Sequence, residues 1–266
     1  MNIPPSSSVV LVMAHPDDIK SVTGMVFRAM EKKSRVSLIL VTKGEAYVSE
    51  ARKTDSPHQM GERRIDELLE FLRIIGIPRR DFFLLGVPDG GQTLPALRED
   101  FFKAEGAPFC DPLLHTDRVP YHDAYTPDML FYGETLLAAL EELLVVLQPR
   151  VILTHHPKDD HLDHRAVSFF ARKAASRLHR RKGLKHAPRV YAPLVYYRAC
   201  RWPTRGDYFY TEQIAHRFPR LKAHQFCLTD EEFERKKEAC MTFTPTLSVK
   251  YIRSNMKKDE VVWRIY

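Results

Sequence analysis

Short, unbroken runs of apolar and β-branched residues alternate with segments of helical spacing along this chain, and no other feature restricts its fold as much. Val9-Val10-Leu11-Val12-Met13 is apolar at every position. A half-exposed strand would alternate apolar and polar residues, so a continuous run implies burial on both faces. Val22, Met25, Val26, Ala29 and Met30 then recur at helical intervals up to Lys33. Val36 to Val41 is a second buried run. Ile65, Leu68, Leu69, Leu72 and Ile75 form a helical face closed by Gly76 and Pro78. Phe82 to Val87 is a third strand, Thr135 to Leu147 a Leu-rich helix stopped by Pro149, and Val151 to Thr154 a fourth strand. Ala166 to Leu178 and Arg189 to Tyr197 add a helix and a strand. Repeated strand-helix-strand order predicts an α/β, Rossmann-like, mostly parallel sheet with helices on both faces. The first strand is not followed by GxGxxG, which argues against a dinucleotide site.

The chain has 266 residues, with no internal repeat, low-complexity tract or break in composition. It therefore reads as a single domain over 1–266. With 44% hydrophobic and 28% charged residues it is not a disordered chain. Cys110, Cys200, Cys227 and Cys240 are scattered without a CxxC pair, the usage expected of a reduced, cytoplasmic protein. No basic n-region precedes the apolar stretch Val9 to Ala14, and no segment approaches the ~20 apolar residues of a membrane span. Neither a signal peptide nor a span is expected. The net charge of +7 permits anionic partners. The basic stretch from Arg172 to Arg189 has the pattern of a solvated helix end and lacks interleaved stacking aromatics, so nucleic acid is not an expected partner.

One segment resists this reading. Residues 90–130 show little periodicity and carry Phe101, Phe102, Phe109, Tyr121, His122 and Tyr125. Unstructured connections beyond about 12–15 residues are uncommon and often functional. An insertion packed on the surface and a lid over a binding pocket explain it equally well. The lid is the expectation carried forward, because the segment leaves the third strand directly after Asp89.

Two clusters carry chemistry. Ala14-His15-Pro16-Asp17-Asp18 follows the first strand, and the run from His155 to His164, with Asp159, Asp160 and Asp163 between its histidines, follows the fourth. In an open α/β sheet both loops lie at the carboxyl ends of the strands, where ligands bind. Imidazole and carboxylate suit zinc and similar divalent ions, and a catalytic site often has three protein ligands with one position open to water. A further carboxylate can take a proton from that water. Taken alone, Asp17 or Asp18 would read as a helix cap. The same ligand types also form the facial triad of non-haem iron oxygenases, and a non-catalytic metal- or glycan-binding protein is a third alternative.

Ala14-His15-Pro16-Asp17-Asp18 resembles the first signature of the LmbE/PIG-L deacetylases, and His161-Leu162-Asp163-His164 resembles their second. Arg64-Ile65-Asp66-Glu67 and the segment Leu84 to Gly90 resemble two lesser ones, so the likeness runs in order from about Val9 to Val167. It implies an LmbE-like fold and an amidohydrolase that removes an acetyl group from an N-acetylglucosamine-containing or related N-acyl amino sugar. It also implies His15, Asp18 and His164 as metal ligands and Asp17 as general base. By the same likeness His161 stabilises the oxyanion or acts as general acid, Asp163 orients a histidine, and Arg64 and Asp89 contact substrate. The implied cofactor is Zn2+, with Fe2+ as the other candidate. The implied partner is an N-acetylated sugar or sugar conjugate, and a homo-oligomer is left open. A general base beside the metal favours hydrolysis, since an oxygenase has no comparable need for one. The chain departs from the pattern at Ile19, where many members have Glu, and at Leu162, where Pro is frequent.

Overall fold

The computed structural model describes residues 3–47, 55–89, 91–200, 218 and 220–265. Its parallel strands are β1 (Ser8–Met13), β2 (Arg35–Leu40), β3 (Phe82–Leu84), β4 (Val151–Leu153) and β5 (Arg189–Pro193). Two further strands, β6 (Lys222–Cys227) and β7 (Asp259–Arg264), extend the sheet in antiparallel fashion to give the order β3-β2-β1-β4-β5-β7-β6. The chain leaves β1 toward β2 on one side and returns to place β4 on the other. The strand order thus reverses between β1 and β4, the crevice where doubly wound sheets bind ligands.

The helices in chain order are α1 (Thr23–Glu31), α2 (Pro57–Ile75), α3 (Thr93–Arg98), α4 (Gly133–Leu147), α5 (Leu162–Arg180), α6 (Asp230–Met241) and α7 (Val249–Asn255). Alternating residues of β1 serve two cores. Val9, Leu11 and Met13 pack with α1, α2 and α6, while Val10 and Val12 pack with α4, α5 and part of the 91–131 segment. The fold is the mostly parallel α/β sheet that the periodicity predicts. No helix among the described residues is long and apolar enough to cross a membrane.

Two expected strands end early. β3 stops at Leu84 and not Val87, because the chain turns at Gly86, whose φ is +72°. A side chain there would press on Val119, Tyr121 and Ala124, so this glycine also lets the insertion approach the sheet. β5 stops at Pro193, well short of Tyr197. The C-terminal elements β6, α6 and α7 have no counterpart in the periodicity reading. β6 is a half-exposed edge strand of sequence Lys-Ala-His-Gln-Phe-Cys, with no apolar run to mark it.

β7 fastens this C-terminal part to α1 through a buried charge. Glu260 Oε1 accepts the N–H of Gly24 at 2.8 Å and Oε2 that of Met25 at 3.3 Å, both at the start of α1. Lys236 Nζ, on α6, donates to Glu260 at 2.6 Å and to the carbonyl of Lys257 at 3.0 Å. Both side chains are only 1% exposed. Helix N-termini leave several N–H groups without intrahelical partners, and Glu260 answers two of them. Removing one partner of a buried pair typically costs about 3–5 kcal/mol. Lys236→Met is therefore expected to lower the denaturation midpoint sharply. Lys236→Met with Glu260→Gln should recover part of the loss, since no uncompensated charge remains. Equilibrium urea unfolding of the single and double variants checks this.

Candidate functional site

Two strand ends build the site. After β1, His15 opens a short 3-10 turn, Pro16–Val22. The Asp18 carboxylate accepts the His15 backbone N–H at 2.8 Å, which closes that turn. The capping role of this aspartate is thus real, and it aims the carboxylate at the histidines of the second cluster. After β4, Asp159 accepts the N–H groups of His161 at 3.0 Å, Val195 at 2.8 Å and Tyr196 at 3.0 Å. That buried carboxylate ties the loop after β4 to the loop after β5. His161 caps α5, so Asp163 and His164 fall in its first turn.

The two clusters meet as the sequence predicts. His15 Nδ1 lies 3.3 Å from Asp18 Oδ2, His164 Nε2 lies 3.2 Å from Asp18 Oδ1, and the two ring nitrogens are 3.3 Å apart. Zinc bonds of about 2.0–2.1 Å in a tetrahedral arrangement put neighbouring ligand atoms about 3.3–3.4 Å apart. The other nitrogen of each ring faces a carboxylate. His15 Nε2 is 3.4 Å from Asp163 and 3.5 Å from Asp89, and His164 Nδ1 is 3.1 Å from Asp159. Carboxylates behind ligating histidines are the usual outer support of a metal site. The donor set therefore fits a divalent ion. His155 Nε2 is 3.3 Å from Asp18 as well, but it already accepts the N–H of Ala14 at 2.9 Å. Its lone pair is engaged, which makes it a support for the loop.

Charge is concentrated here. Burial opposes ionisation of Asp18, but the facing His164, His155 and His15 outweigh it and hold the carboxyl well below its ordinary range. Burial likewise opposes a charge on His164, and Asp18 and Asp159 overcome it to raise the ring to about 9. His161 behaves in the opposite way. Burial and the charges of His15 and His164 hold it down to about 4.

Asp17 points to different partners. Lys20 Nζ donates to its Oδ2 at 2.8 Å, Tyr251 Oη donates to the same oxygen at 3.1 Å, and Arg64 donates to Oδ1. Against the penalty of burial, Lys20 and Arg64 hold this carboxyl at about 2. Arg64 also donates to the carbonyl of Gly44 at 3.0 Å. Gly44 has φ +77°, and a side chain there would collide with the guanidinium.

Next to it, Glu45 accepts from Tyr121 Oη and from the backbone N–H of Asp89 at 3.0 Å, so it sets the loop that carries Asp89. Burial pushes Glu45 up to about 7, with Asp89 adding to the rise.

A pocket of about 350 Å³ opens over the cluster. Its wall includes every residue expected from the sequence except Asp163, which lies beneath it. The 91–131 segment contributes Gly91 alone to that wall among the described residues; Gly90 lies outside them. Phe101, Phe102, Phe109 and Tyr125 of the segment turn to other partners, and Tyr121 binds Glu45 behind the wall. Phe101 meets Phe109, Phe102 stacks on Phe170 of α5, and Tyr125 meets Phe83. The segment packs on the outer helical layer, so the lid expectation gives way to the surface-packing one. Packing those rings on one another, on α5 and on β3 removes more apolar surface from water than suspending them over a polar pocket would. Tyr47, Tyr196 and Tyr251 supply the wall in their place. The sequence reading places Tyr196 inside the strand Arg189 to Tyr197; the strand ends at Pro193, and that leaves Tyr196 on the loop at the pocket edge. Tyr251 carries no comparable signal.

A family model described as PIG-L, GlcNAc-PI de-N-acetylase, matches residues 10–175. Comparison with curated protein sequences found no match. Among solved structures, the 4-carboxy-2-hydroxymuconate hydratase GalB from Pseudomonas putida KT2440 is 14% identical with a TM-score of 0.58, over 94% of this chain and 82% of that one. The N,N'-diacetylchitobiose deacetylase from Pyrococcus horikoshii is 16% identical with a TM-score of 0.55, over 92% of this chain and 72% of that one. The zinc-inhibited form of teicoplanin deacetylase Orf2 is 15% identical with a TM-score of 0.55, over 97% of each chain. At such identities the likeness is one of fold.

Glu45 makes stability depend on pH with a definite sign. Its folded-state pKa of about 7 lies above the ordinary 4.5, so the folded state binds the extra proton. Its contribution is complete below the ordinary value and is lost as pH rises through about 7. Glu45→Gln cannot lose that proton. Between pH 5 and pH 8 the variant is expected to lose less stability than the parent, as measured by paired thermal melts.

Proposed function

This chain belongs to the PIG-L family, and on that premise we propose that it is a metal-dependent N-deacetylase that hydrolyses an acetylated amino sugar or sugar conjugate. The observation that carries this reading is the meeting of His15 Nδ1 and His164 Nε2 at 3.3 Å, each within 3.2–3.3 Å of one oxygen of the Asp18 carboxylate, beside a separately held Asp17. His15, Asp18 and His164 would hold the ion, Zn2+ first and Fe2+ as the other candidate. A bound divalent ion acts as a Lewis acid and makes water a nucleophile near neutral pH.

The chain's own groups divide the remaining work. Asp17 is ionised throughout the working range and accepts the proton of the attacking water. His161 has its side chain 38% exposed beside the cluster and is neutral near pH 7. A neutral imidazole can donate to a developing oxyanion; to act as an acid it must first gain a proton. Asp163 sits 3.4 Å from His15 Nε2 and is the carboxylate placed to orient that ring; His161 Nδ1, at 3.7 Å, is beyond hydrogen-bond distance. Asp89 offers its carboxylate to substrate hydroxyls. Arg64 reaches the same pocket, but its first task is to hold Asp17. Tyr47, Tyr196 and Tyr251 give the pocket aromatic faces suited to a sugar ring.

The deciding experiment measures acetate and free-amine release from a panel of N-acetyl sugars and conjugates, with the protein reconstituted separately with Zn2+ and Fe2+. One structural neighbour is a zinc-inhibited deacetylase, so the two ions are compared directly. Another is a hydratase, so an unsaturated carboxylic acid belongs in the panel as the competing substrate class. His164→Ala is expected to purify without metal; full occupancy would remove it from the ligand set. Asp17→Asn is expected to keep its metal and lose ~10²–10⁴-fold in turnover, the usual range for a general base. Turnover equal to the parent's would end that assignment.

A further inference from the structure

Asp17 is held by a residue that lies outside the matched stretch of the family. Tyr251 stands on α7, and its hydroxyl is 3.1 Å from Asp17 Oδ2. On its other side the same hydroxyl meets that of Tyr196. Lys20 Nζ lies 4.7 Å from the centre of the Tyr251 ring while it binds Asp17. The direction of these bonds follows from what each group can do. A carboxylate only accepts, and a phenol has one proton to donate. The Tyr251 proton therefore goes to Asp17, and the Tyr251 oxygen receives the proton of Tyr196. Burial and the charge of Asp17 hold the Tyr251 phenol far above its ordinary value, so it remains a donor.

Counting acceptor sites shows what this arrangement does. An ionised carboxylate has about four lone-pair directions. Arg64, Lys20 and Tyr251 take three of them. One direction is left for the proton of a reacting water. We propose that Tyr251 is a positioning residue that confines Asp17 to that single open direction, and that Tyr196 orients Tyr251. The catalytic part of this inference rests on the reading of Asp17 as the base. The hydrogen-bond chain does not.

Two measurements test it on the metal-loaded protein. In steady-state kinetics, Tyr251→Phe keeps the ring and removes the donor. The expected result is a fall in kcat of ~10–100-fold, as for loss of one hydrogen bond to a charged group, with KM changed less than about twofold. Tyr196→Phe lowers kcat less, and the double variant matches Tyr251→Phe alone, because Tyr196 then has nothing left to orient. In NMR of protein labelled with 13C at tyrosine Cζ, the Tyr251 resonance is expected to shift in both Asp17→Asn and Tyr196→Phe. A parental kcat in Tyr251→Phe, or strictly additive effects of the two substitutions, overturns the positioning role. An unmoved Tyr251 resonance overturns the hydrogen-bond chain, and it can be read even if Tyr251→Phe folds poorly. Absence of deacetylation by the parent protein counts against the proposed function, and the NMR result then decides the tyrosine chain by itself.

Discussion

The pairing of β1 with β4 is the constraint on which the site depends. Val9, Val10 and Leu11 lie in parallel register with Val151, Ile152 and Leu153. Both strands are buried on both faces, so the pairing is held by the cores above and below as well as by its own hydrogen bonds. It brings His15 and His164, 149 residues apart in the chain, to 3.3 Å. A one-residue slip in this register would turn the side chains of β1 to the opposite core, so the spacing of the cluster is protected by burial.

Onto that frame the protein loads an unusual density of buried charge. Asp18 lies among three histidines, while Asp17, its immediate neighbour, lies among Lys20, Arg64 and Tyr251. Adjacent residues in the turn face different partners, so two carboxylates with different surroundings occupy one short segment. Buried charges are costly unless paired and hydrogen-bonded. The surrounding architecture supplies those partners. Gly44 leaves room for the Arg64 guanidinium, and Asp159 supports His164 while binding three backbone N–H groups.

The 91–131 segment and the C-terminal part serve the pocket in reverse of what their positions in sequence suggest. The segment leaves the sheet at the pocket edge and then departs, packing its aromatic rings on α5 and the outer face of the sheet. It touches the site through Tyr121, which donates to Glu45 and so acts on the Asp89 loop from behind. The C-terminal part, anchored by the Lys236–Glu260 pair, carries Tyr251 to Asp17. Most of the pocket wall lies within the matched range of 10–175, and Tyr196 and Tyr251 are its contributions from beyond that range among the described residues.

By itself the sequence determined the α/β class, the five parallel strands and the loops on which the two His/Asp clusters lie. Those properties are local: continuous apolar runs, helical periodicity and turn residues act within a few positions of each other, and parallel topology brings strand ends to one edge. Strand-end placement also brought the two His/Asp clusters to one edge, and within them the resemblance to the LmbE/PIG-L signatures implied His15, Asp17, Asp18, His161, Asp163 and His164 as one group. Only the tertiary structure decided which nitrogen of His15 faces His164, that the lone pair of His155 is engaged by Ala14, and that Arg64 is bound to Asp17. It alone turned the insertion away from the pocket and brought Tyr251 in, across 234 residues, to Asp17. No periodicity encodes such contacts. They follow from how separately formed layers pack and from the need of each buried charge to find a partner.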